Sequence, residues 1–271
     1  MTIAAGFHVH GGLVMCADSQ ELQGDYKFPV QKLLLYTDAF TNIGIAGSGI
    51  GPLVDMAAQQ VASAAMGGYE HTGIIKQRIQ ETLLSLYQNE FSVYPCSEPD
   101  DTLVELLIGV KLSSETPRLF HTCGPTLSEV NEYAVIGSGR VVEYQVQTLY
   151  DRQMSVSKGV LVAVQLLNIA KSVLSSVGGR GKIITIHDGD KGIGEASWYE
   201  IKELESALQR FSYESGKLLL DFPDFDLDDQ QFVARLRSFT DLIETLRDEY
   251  RLGAKTWAAL LKQLNNPPKK T

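Results

Sequence analysis

The chain has little cysteine, no excess of basic residues and no long apolar run. Each absence excludes a class of protein or partner. Its three cysteines, Cys16, Cys96 and Cys123, are odd in number and far apart, so they fit neither a disulfide framework nor a zinc site. This usage is typical of a reducing compartment, and we expect a cytoplasmic protein. The formal net charge is −9, whereas phosphate binding needs a basic face, so we expect no nucleic acid partner.

Segments that target or span a membrane are also missing from the sequence pattern. No positively charged and then apolar leader precedes the first strand-like run. The longest apolar candidate, residues 159–170, is shorter than the roughly 20 residues that cross a bilayer, and it contains Gln165 and Asn168. We therefore predict neither a signal peptide nor a membrane partner.

The composition is that of one large folded domain or of a domain with an extension. Of the 271 residues, 44% are hydrophobic and 21% are charged, which are globular values rather than those of a disordered chain. The pattern changes at Trp198, beyond which charged helical stretches replace short strands. We predict a core over residues 2–197 and a helical C-terminal extension over residues 198–271. Within the extension, residues 200–213 and 230–264 are predicted to be helical, and Gly253 is expected to divide the second stretch into two helices.

Short apolar strands and amphipathic helices alternate in blocks along the predicted core. Residues 18–28 are polar and are expected to form a loop, and a turn at residues 10–12 separates the first two strands. Blocks of strands between paired helices favour layers over a doubly wound parallel sheet. We therefore predict an α+β fold, a four-layer αββα sandwich in which two antiparallel sheets pack face to face with a helix pair outside each. The predicted strands lie within 2–17, 32–36, 41–46, 102–112, 117–124, 133–136 and 182–187, and the predicted helices are 53–66, 74–91, 140–150 and 155–177.

A threonine follows the initiator methionine, and an apolar strand begins at once. Methionine aminopeptidases remove Met1 when the second residue is small, so we expect a mature chain that begins with Thr2. An N-terminal threonine can act as a nucleophile whose own α-amine replaces histidine as the base. The alternative is an ordinary chain start, because many proteins begin with Met-Thr.

Glycines at positions 47, 49 and 51 precede Pro52, a pattern typical of a tight strand-to-helix turn with exposed backbone N–H groups. Such a turn can bind phosphate, but the sequence lacks the Lys-Ser/Thr pair of a P-loop and is not G-x-G-x-x-G. The same N–H groups can instead stabilise the oxyanion of an acyl-transfer reaction.

Two patterns could suggest a metal, and neither is complete. His8 and His10 share one face of a strand, but no further ligand set accompanies them. The acidic residues of 221–229 lack the central glycine and terminal glutamate of a calcium loop, and a solvated loop before the next helix explains them better. We predict no metal and no cofactor.

Several short motifs together resemble the N-terminal nucleophile (Ntn) hydrolases of the proteasome β-subunit and HslV type. They occur in the family's order and spacing and cover roughly residues 2–188. The sandwich predicted from periodicity agrees with this resemblance. The motifs are Thr2, C-A-D-S at 16–19, V-Q-K at 30–32, A-G-S-G at 46–49 and I-G-S-G at 136–139.

The resemblance implies a role for each matching residue. Thr2 is the nucleophile, Asp18 the nearby carboxylate, and Lys32 the lysine beside the hydroxyl. Gly47 supplies the oxyanion-hole N–H, and Ser138 helps to hold the terminal amine. The chemistry is sensible, because an α-amine has a pKa of about 8 and a neighbouring ammonium group favours its neutral form.

One departure from the family leaves rival functions open. The family has an acid and a serine after its last long core helix, whereas residues 174–181 contain no acid, and Ser175 or Ser176 takes that place. The leading hypothesis is a threonine-type peptidase, with a non-catalytic assembly or scaffold protein as the rival and an amidase acting on a small molecule as a third possibility. We expect residues near Gln20, Gln31 and Ile45 to line the substrate pocket.

The resemblance also implies partners. It suggests a homo-oligomeric ring that encloses its active sites and takes a peptide or protein substrate. Relatives often work with an unfolding ATPase, which this sequence does not identify.

Overall fold

A computed structural model of the chain describes residues 2–23, 26–94, 103–138, 142–189, 192–224 and 227–265. Met1, Cys96 and Gly139, which carried sequence-based expectations, lie outside the described residues. The chain divides into two compact units, the first ending at Trp198 and the second beginning at Tyr199.

The first unit combines many short strands with four helices in its described part. The strands are β1 Ile3–Val9, β2 Gly12–Ala17, β3 Gln20–Gln23, β4 Tyr26–Pro29, β5 Leu33–Thr37, β6 Thr41–Ser48, β7 Glu105–Leu112, β8 Arg118–Cys123, β9 Thr126–Val130, β10 Tyr133–Gly137, β11 Lys182–His187 and β12 Ile193–Glu195. The helices are α1 Gly51–Ala65, α2 Thr72–Asn89, α3 Glu143–Leu149 and α4 Val156–Val173, and a 3-10 turn spans Phe91–Val93.

Two antiparallel sheets carry most of these strands. The first sheet has the order β10-β1-β2-β11-β12, and the second has the order β5-β6-β7-β8-β9. Strands β3 and β4 form a separate two-stranded hairpin. In the first sheet Ala4 lies opposite Ala17, and in the second Leu33 lies opposite Ala46.

The two sheets bury a shared apolar core between them. Close approach is possible because Gly44 and Gly109 are cross-strand partners on β6 and β7 and leave room for larger side chains from the other sheet. A Cβ atom at Gly109 would lie 2.6 Å from Met15 Sδ and 2.9 Å from Ile186 Cδ1. The core between the sheets consists of Ala4, Leu13, Met15, Ala17, Leu33, Ala46, Leu107, Leu119, Ile136, Ile184 and Ile186.

Helices cover the outer faces of both sheets. Alternate residues of β6 and β7, such as Ile43 and Ile108, turn away from the first sheet and pack with the apolar faces of α1 and α2. On the other side, α4 contacts β1, β2 and β11. A Cβ atom at Gly159 of α4 would lie 2.8 Å from Val9 Cγ1, so this helix lies close against the first sheet.

Among the described helices, only α4 is long and apolar enough to cross a membrane, by length and composition alone. Its buried residues include Val162, Ala163, Leu166 and Leu167. Because the helix packs on a sheet, these residues already have an apolar environment within the unit.

The α+β fold predicted from the sequence is confirmed, and the positions of its main strands and helices agree with the prediction. The loop predicted over residues 18–28 was wrong, because β3 and β4 form a hairpin there. Its strand β4 has four exposed residues, so no apolar alternation reveals it. The short strands β9 and β12 were also missed. Strand β9 carries several polar or exposed residues, and β12 has only three residues, of which Glu195 is exposed.

Two helices make up most of the described part of the second unit: α5 Trp198–Asp221, which lies in this unit from its second residue onward, and α6 Asp229–Asn265. They contact each other through Phe211 and Phe239, whose rings lie 5.5 Å apart, and through Arg210 and Glu249 at 3.4 Å. The predicted break at Gly253 was wrong, since α6 continues through it. A single interior glycine costs a helix only about 1 kcal/mol, which is too little to end one of this length.

The packing between the sheets predicts that Gly109→Ala destabilises the protein. The added methyl group must displace Met15 and Ile186, so we expect a loss of about 1–3 kcal/mol in the free energy of unfolding. Urea unfolding at fixed protein concentration measures it. Gly73→Ala is the matched control, because no described atom lies within 4 Å of that Cβ position on α2. Equal stability of the two variants would contradict the close approach of the sheets.

Candidate active site

Thr2 is held in place by backbone contacts on both sides of it. Its carbonyl accepts a 2.8 Å hydrogen bond from the Ser138 N–H. The next residue, Ile3, donates its N–H to Asp18 Oδ1 at 3.1 Å and accepts the Asp18 N–H at 3.1 Å. Thr2 itself is only 6% exposed. These contacts fix the start of β1 and with it the position of the Thr2 side chain.

Asp18 follows β2 and is almost completely buried, with 1% of its surface exposed. Besides the Ile3 N–H, its carboxylate accepts the N–H groups of Gln20 at 3.1 Å and Gly178 at 3.3 Å. The Lys32 ammonium donates to both of its oxygens, at 3.0 and 3.1 Å. A buried carboxylate with this many donors is fully compensated for the loss of water.

Lys32 lies immediately before β5 and links the two sheets. Its ammonium group reaches from the second sheet to Asp18 at the end of a strand of the first, and it also hydrogen-bonds the carbonyl of Gln20. Only 8% of the Lys32 side chain is exposed. Lys32 and Asp18 therefore form a buried ion pair.

Gly47 lies near the end of β6, where α1 passes close above the strand. A Cβ atom there would lie 2.3 Å from Val54 Cγ1, so only glycine fits unless the Val54 side chain moves. Its N–H donates to the Lys32 carbonyl at 3.4 Å, a long hydrogen bond that continues the β5–β6 pairing. The N–H group expected to stabilise an oxyanion therefore already makes a weak hydrogen bond within the protein.

Ser138 lies in the turn that follows β10, and it touches the chain start through its backbone. Gly137 has a φ of +67°, which favours glycine. A Cβ atom added to it would lie 2.3 Å from the Thr2 carbonyl oxygen, so the turn needs glycine. The I-G-S-G motif thus positions Thr2 through the Ser138 N–H, whereas the resemblance implied a contact to the terminal amine.

Glu105 is a carboxylate near this turn that sequence reasoning missed. Its Oε2 accepts the Gly137 N–H at 3.0 Å, and the residue lies directly opposite Ser48 in the β6–β7 pairing. The available signal was a single charged residue at the start of β7, a strand whose other residues are all buried. That signal is weak, because charged residues commonly occupy strand ends.

The segment 174–181, which lacks the family's acid, reaches the site through its backbone. Gly178 donates to Asp18, and the Ser175 carbonyl accepts Gln20 Nε2 at 3.2 Å. Ser176 is buried, with 6% of its surface exposed, whereas Ser175 is exposed. Of the two serines considered for the missing acid's place, Ser176 is the one enclosed by the fold.

Thr2, Lys32 and Gly47 line one pocket of about 330 Å³. Gln31 and Ile45 line it as predicted, whereas Gln20 is turned away toward Ser175. No histidine is among the described residues of its wall. The other lining residues are Glu21, Val30, Leu34, Gly49, Gly51, Val54, Asp55 and Ala58.

A larger pocket, of about 460 Å³, lies at the other end of β1 and includes His8 and His10. Neither Thr2 nor the Asp18–Lys32 pair lines it. His8 Nε2–H donates to the Val130 carbonyl at 2.9 Å, and burial lowers the pKa of His8. In the part of the chain that the structure describes, no group of three or more acidic, histidine or cysteine side chains could hold a metal.

The buried ion pair predicts a large loss of stability for Asp18→Asn. The variant leaves the Lys32 ammonium without its counter-charge, and we expect about 3–5 kcal/mol of destabilisation in urea unfolding. The control is Glu195→Gln, which breaks the 3.3 Å pair with Lys182 at a glutamate that is half exposed. A surface pair of that kind contributes at most about 1 kcal/mol. Losses of similar size in both variants would refute the burial of the Asp18 pair.

The sequence matches no protein-family model, and no curated protein is detectably similar to it. Solved structures are similar in fold. Anbu (ancestral beta-subunit) from Yersinia bercovieri has a TM-score of 0.69 at 13% identity over 84% of this chain and 100% of its own. Anbu from Hyphomicrobium sp. strain MC1 has a TM-score of 0.67 at 13% identity over 83% and 100%. The helical assembly of the Anbu complex from Pseudomonas aeruginosa has 0.64 at 12% over 82% and 98%.

These comparisons correct the resemblance drawn from the motifs. The structures found are Anbu proteins, which are proteasome-like relatives, and not members of the HslV type. Short motifs such as A-G-S-G cover only a few residues, so they could not separate an Anbu-like chain from one of the HslV type. At 12–13% identity, the likeness establishes the fold that this chain shares with Anbu.

Proposed function

We propose that the chain is a threonine-type peptidase or amidase whose nucleophile is Thr2, exposed by removal of Met1. The observation that carries this proposal is the buried Asp18–Lys32 pair beside a pocket that Thr2 also lines. An ammonium group there favours both a neutral α-amine and an anionic oxygen. The absence of histidine from the described pocket wall makes the freed α-amine the natural base.

The reaction proceeds by acyl transfer. The Thr2 hydroxyl oxygen attacks the amide carbonyl carbon while its proton passes to the α-amine. The Gly47 N–H exchanges its long hydrogen bond to the Lys32 carbonyl for the oxyanion, which is a stronger acceptor. Collapse of the tetrahedral intermediate passes the proton to the departing amine and leaves an ester on Thr2. Water, deprotonated by the α-amine, then cleaves the ester and restores the hydroxyl.

The proposed catalytic domain is residues 2–197, arranged as the four-layer αββα sandwich of Ntn hydrolases, and residues 198–271 form its helical extension. Support comes from the core shared by the two sheets and from the packing of α1, α2 and α4 on their outer faces. The likeness to Anbu, over more than four-fifths of this chain, is consistent with such a domain.

We propose that the protein is cytoplasmic and assembles with copies of itself. Anbu from Pseudomonas aeruginosa forms a helical assembly, and the fold is shared. A helical arrangement of copies is therefore as reasonable as the closed ring expected from the motifs. The peptide or protein substrate and an unfolding ATPase partner stay predictions.

A non-catalytic assembly protein is the second candidate. Two observations favour it: residues 174–181 contain no acid, and the Gly47 N–H already donates to the Lys32 carbonyl. In this case Thr2 is a structural residue at the start of β1, and assembly alone is the function.

Reaction with an α′,β′-epoxyketone peptide tests the proposal. The warhead needs the hydroxyl and the free amine of one terminal residue, so we expect the intact mass of the untagged protein to lack Met1 and to show one adduct per chain. Thr2→Ala should show no adduct. Thr2→Ser, which keeps a hydroxyl and a small residue beside Met1, should still react.

Three results separate the candidates. An adduct on Thr2 together with hydrolysis of peptides supports the peptidase. Loss of Met1 without any adduct, over a panel of peptides, favours the assembly protein. Hydrolysis that persists in pure Thr2→Ala would contradict the nucleophile itself.

A further inference from the structure

We infer that the pocket beside Thr2 selects a basic side chain, lysine or arginine, on the acyl side of the bond that is cut. This inference rests on the function proposed above and adds the class of substrate. The pocket has a volume of about 330 Å³, which is at the lower end of the range for ligand sites and suits one long side chain.

The pocket has apolar walls. Leu34 and Ile45 are directly opposite each other on β5 and β6, and both line it. Across from them, Val54 and Ala58 are four residues apart on α1 and share one helix face. Walls of this kind suit the methylene stem of lysine or arginine, which packs on apolar surface while its charged end stays in a polar environment.

Two carboxylates complete the same wall. Glu21, which is partly buried, lines the pocket from β3, and its Oε1 lies 3.1 Å from the position of a Cβ atom on Gly51. Asp55 projects from α1 beside Val54 and is exposed. Neither carboxylate has a hydrogen bond or ion pair to another described residue. Both are therefore available to a cation in the pocket.

No other charge in the described wall cancels them. Lys32 is the single cation of that wall, and its charge is matched by Asp18 behind it. The pocket therefore presents two uncompensated negative charges to a substrate, and the −9 net charge of the chain adds a long-range attraction for basic peptides. An acidic side chain in this position would be repelled.

Glu21 has one competing structural explanation. It lies beside the first residue of α1, and a carboxylate near a helix N-terminus is stabilised by the helix dipole. That role predicts an effect of Glu21→Gln on stability but none on the choice between charged and neutral substrates. Asp55 lies in the second turn of the helix and has no such role, so the two residues test the inference independently.

The experiment uses four epoxyketone peptides that differ only in the residue next to the warhead: arginine, citrulline, leucine or glutamate. Citrulline has the shape of arginine without its charge. The rate of adduct formation on Thr2 is followed by intact mass. For the wild-type chain we expect arginine to react about tenfold or more faster than citrulline, and glutamate to react most slowly. The ratio should fall at high salt.

Variants of Glu21 and Asp55 show whether these carboxylates cause the preference for arginine. Glu21→Gln should lower the ratio of arginine to citrulline about tenfold, and Asp55→Asn should lower it less, because Asp55 is exposed and solvent screens its charge. For each variant, the arginine rate is divided by the citrulline rate of the same variant. A general loss of reactivity lowers both rates and therefore leaves this ratio unchanged. Glu81→Gln, on the exposed face of α2, removes the same charge elsewhere and should leave the ratio unchanged.

Every outcome decides the inference. Arginine reacting no faster than citrulline or leucine overturns it while leaving the proposed function standing. An arginine preference that survives in the double variant, which combines Glu21→Gln with Asp55→Asn, belongs to other residues and also overturns the inference. If no peptide forms an adduct with Thr2, the proposed function fails and this inference fails with it.

Discussion

The ion pair between Asp18 and Lys32 is the contact on which the rest of the site depends. It joins the end of β2 in the first sheet to the start of β5 in the second, inside the protein. The same carboxylate accepts the Ile3 N–H and thereby fixes the residue that follows Thr2. Because both charges are nearly inaccessible to water, neither can be removed without leaving the other uncompensated. The stability of the paired sheets and the geometry of the site therefore both depend on the Asp18–Lys32 ion pair.

The sheets can approach closely enough for this contact only because small residues line the facing strands. Gly44 and Gly109 make room for Met15, Ile184 and Ile186, and further along β6 Gly47 makes room for α1. Since residues alternate between the two faces of a strand, Gly44 faces the first sheet and Gly47 faces the helix. A shift of β6 by one residue would exchange these faces and would close both spaces at once.

The sequence predicted the parts of the structure whose pattern is local. Apolar periodicity located most strands and helices, and motif order brought together Thr2, Asp18, Lys32 and Gly47. The polar hairpin of β3 and β4 has no such period, and Glu21 in the pocket wall lies on it. The contact of Glu105 with Gly137 joins residues 32 positions apart on different sheets, so no short motif could contain it.

Asp18 and Lys32, the two members of the buried pair, differ in how closely they bear on function. Asp18 has a structural reason to be present, because three backbone N–H groups donate to it. Those donors hold the carboxylate but do not neutralise it, so an apolar residue in place of Lys32 alone would leave a buried charge without a counter-charge. Lys32 therefore has a structural role as that counter-charge. Its ammonium group also lines the pocket beside Thr2, where the proposed acyl transfer requires a hydroxyl to lose its proton, so the same side chain serves both the fold and the function proposed above.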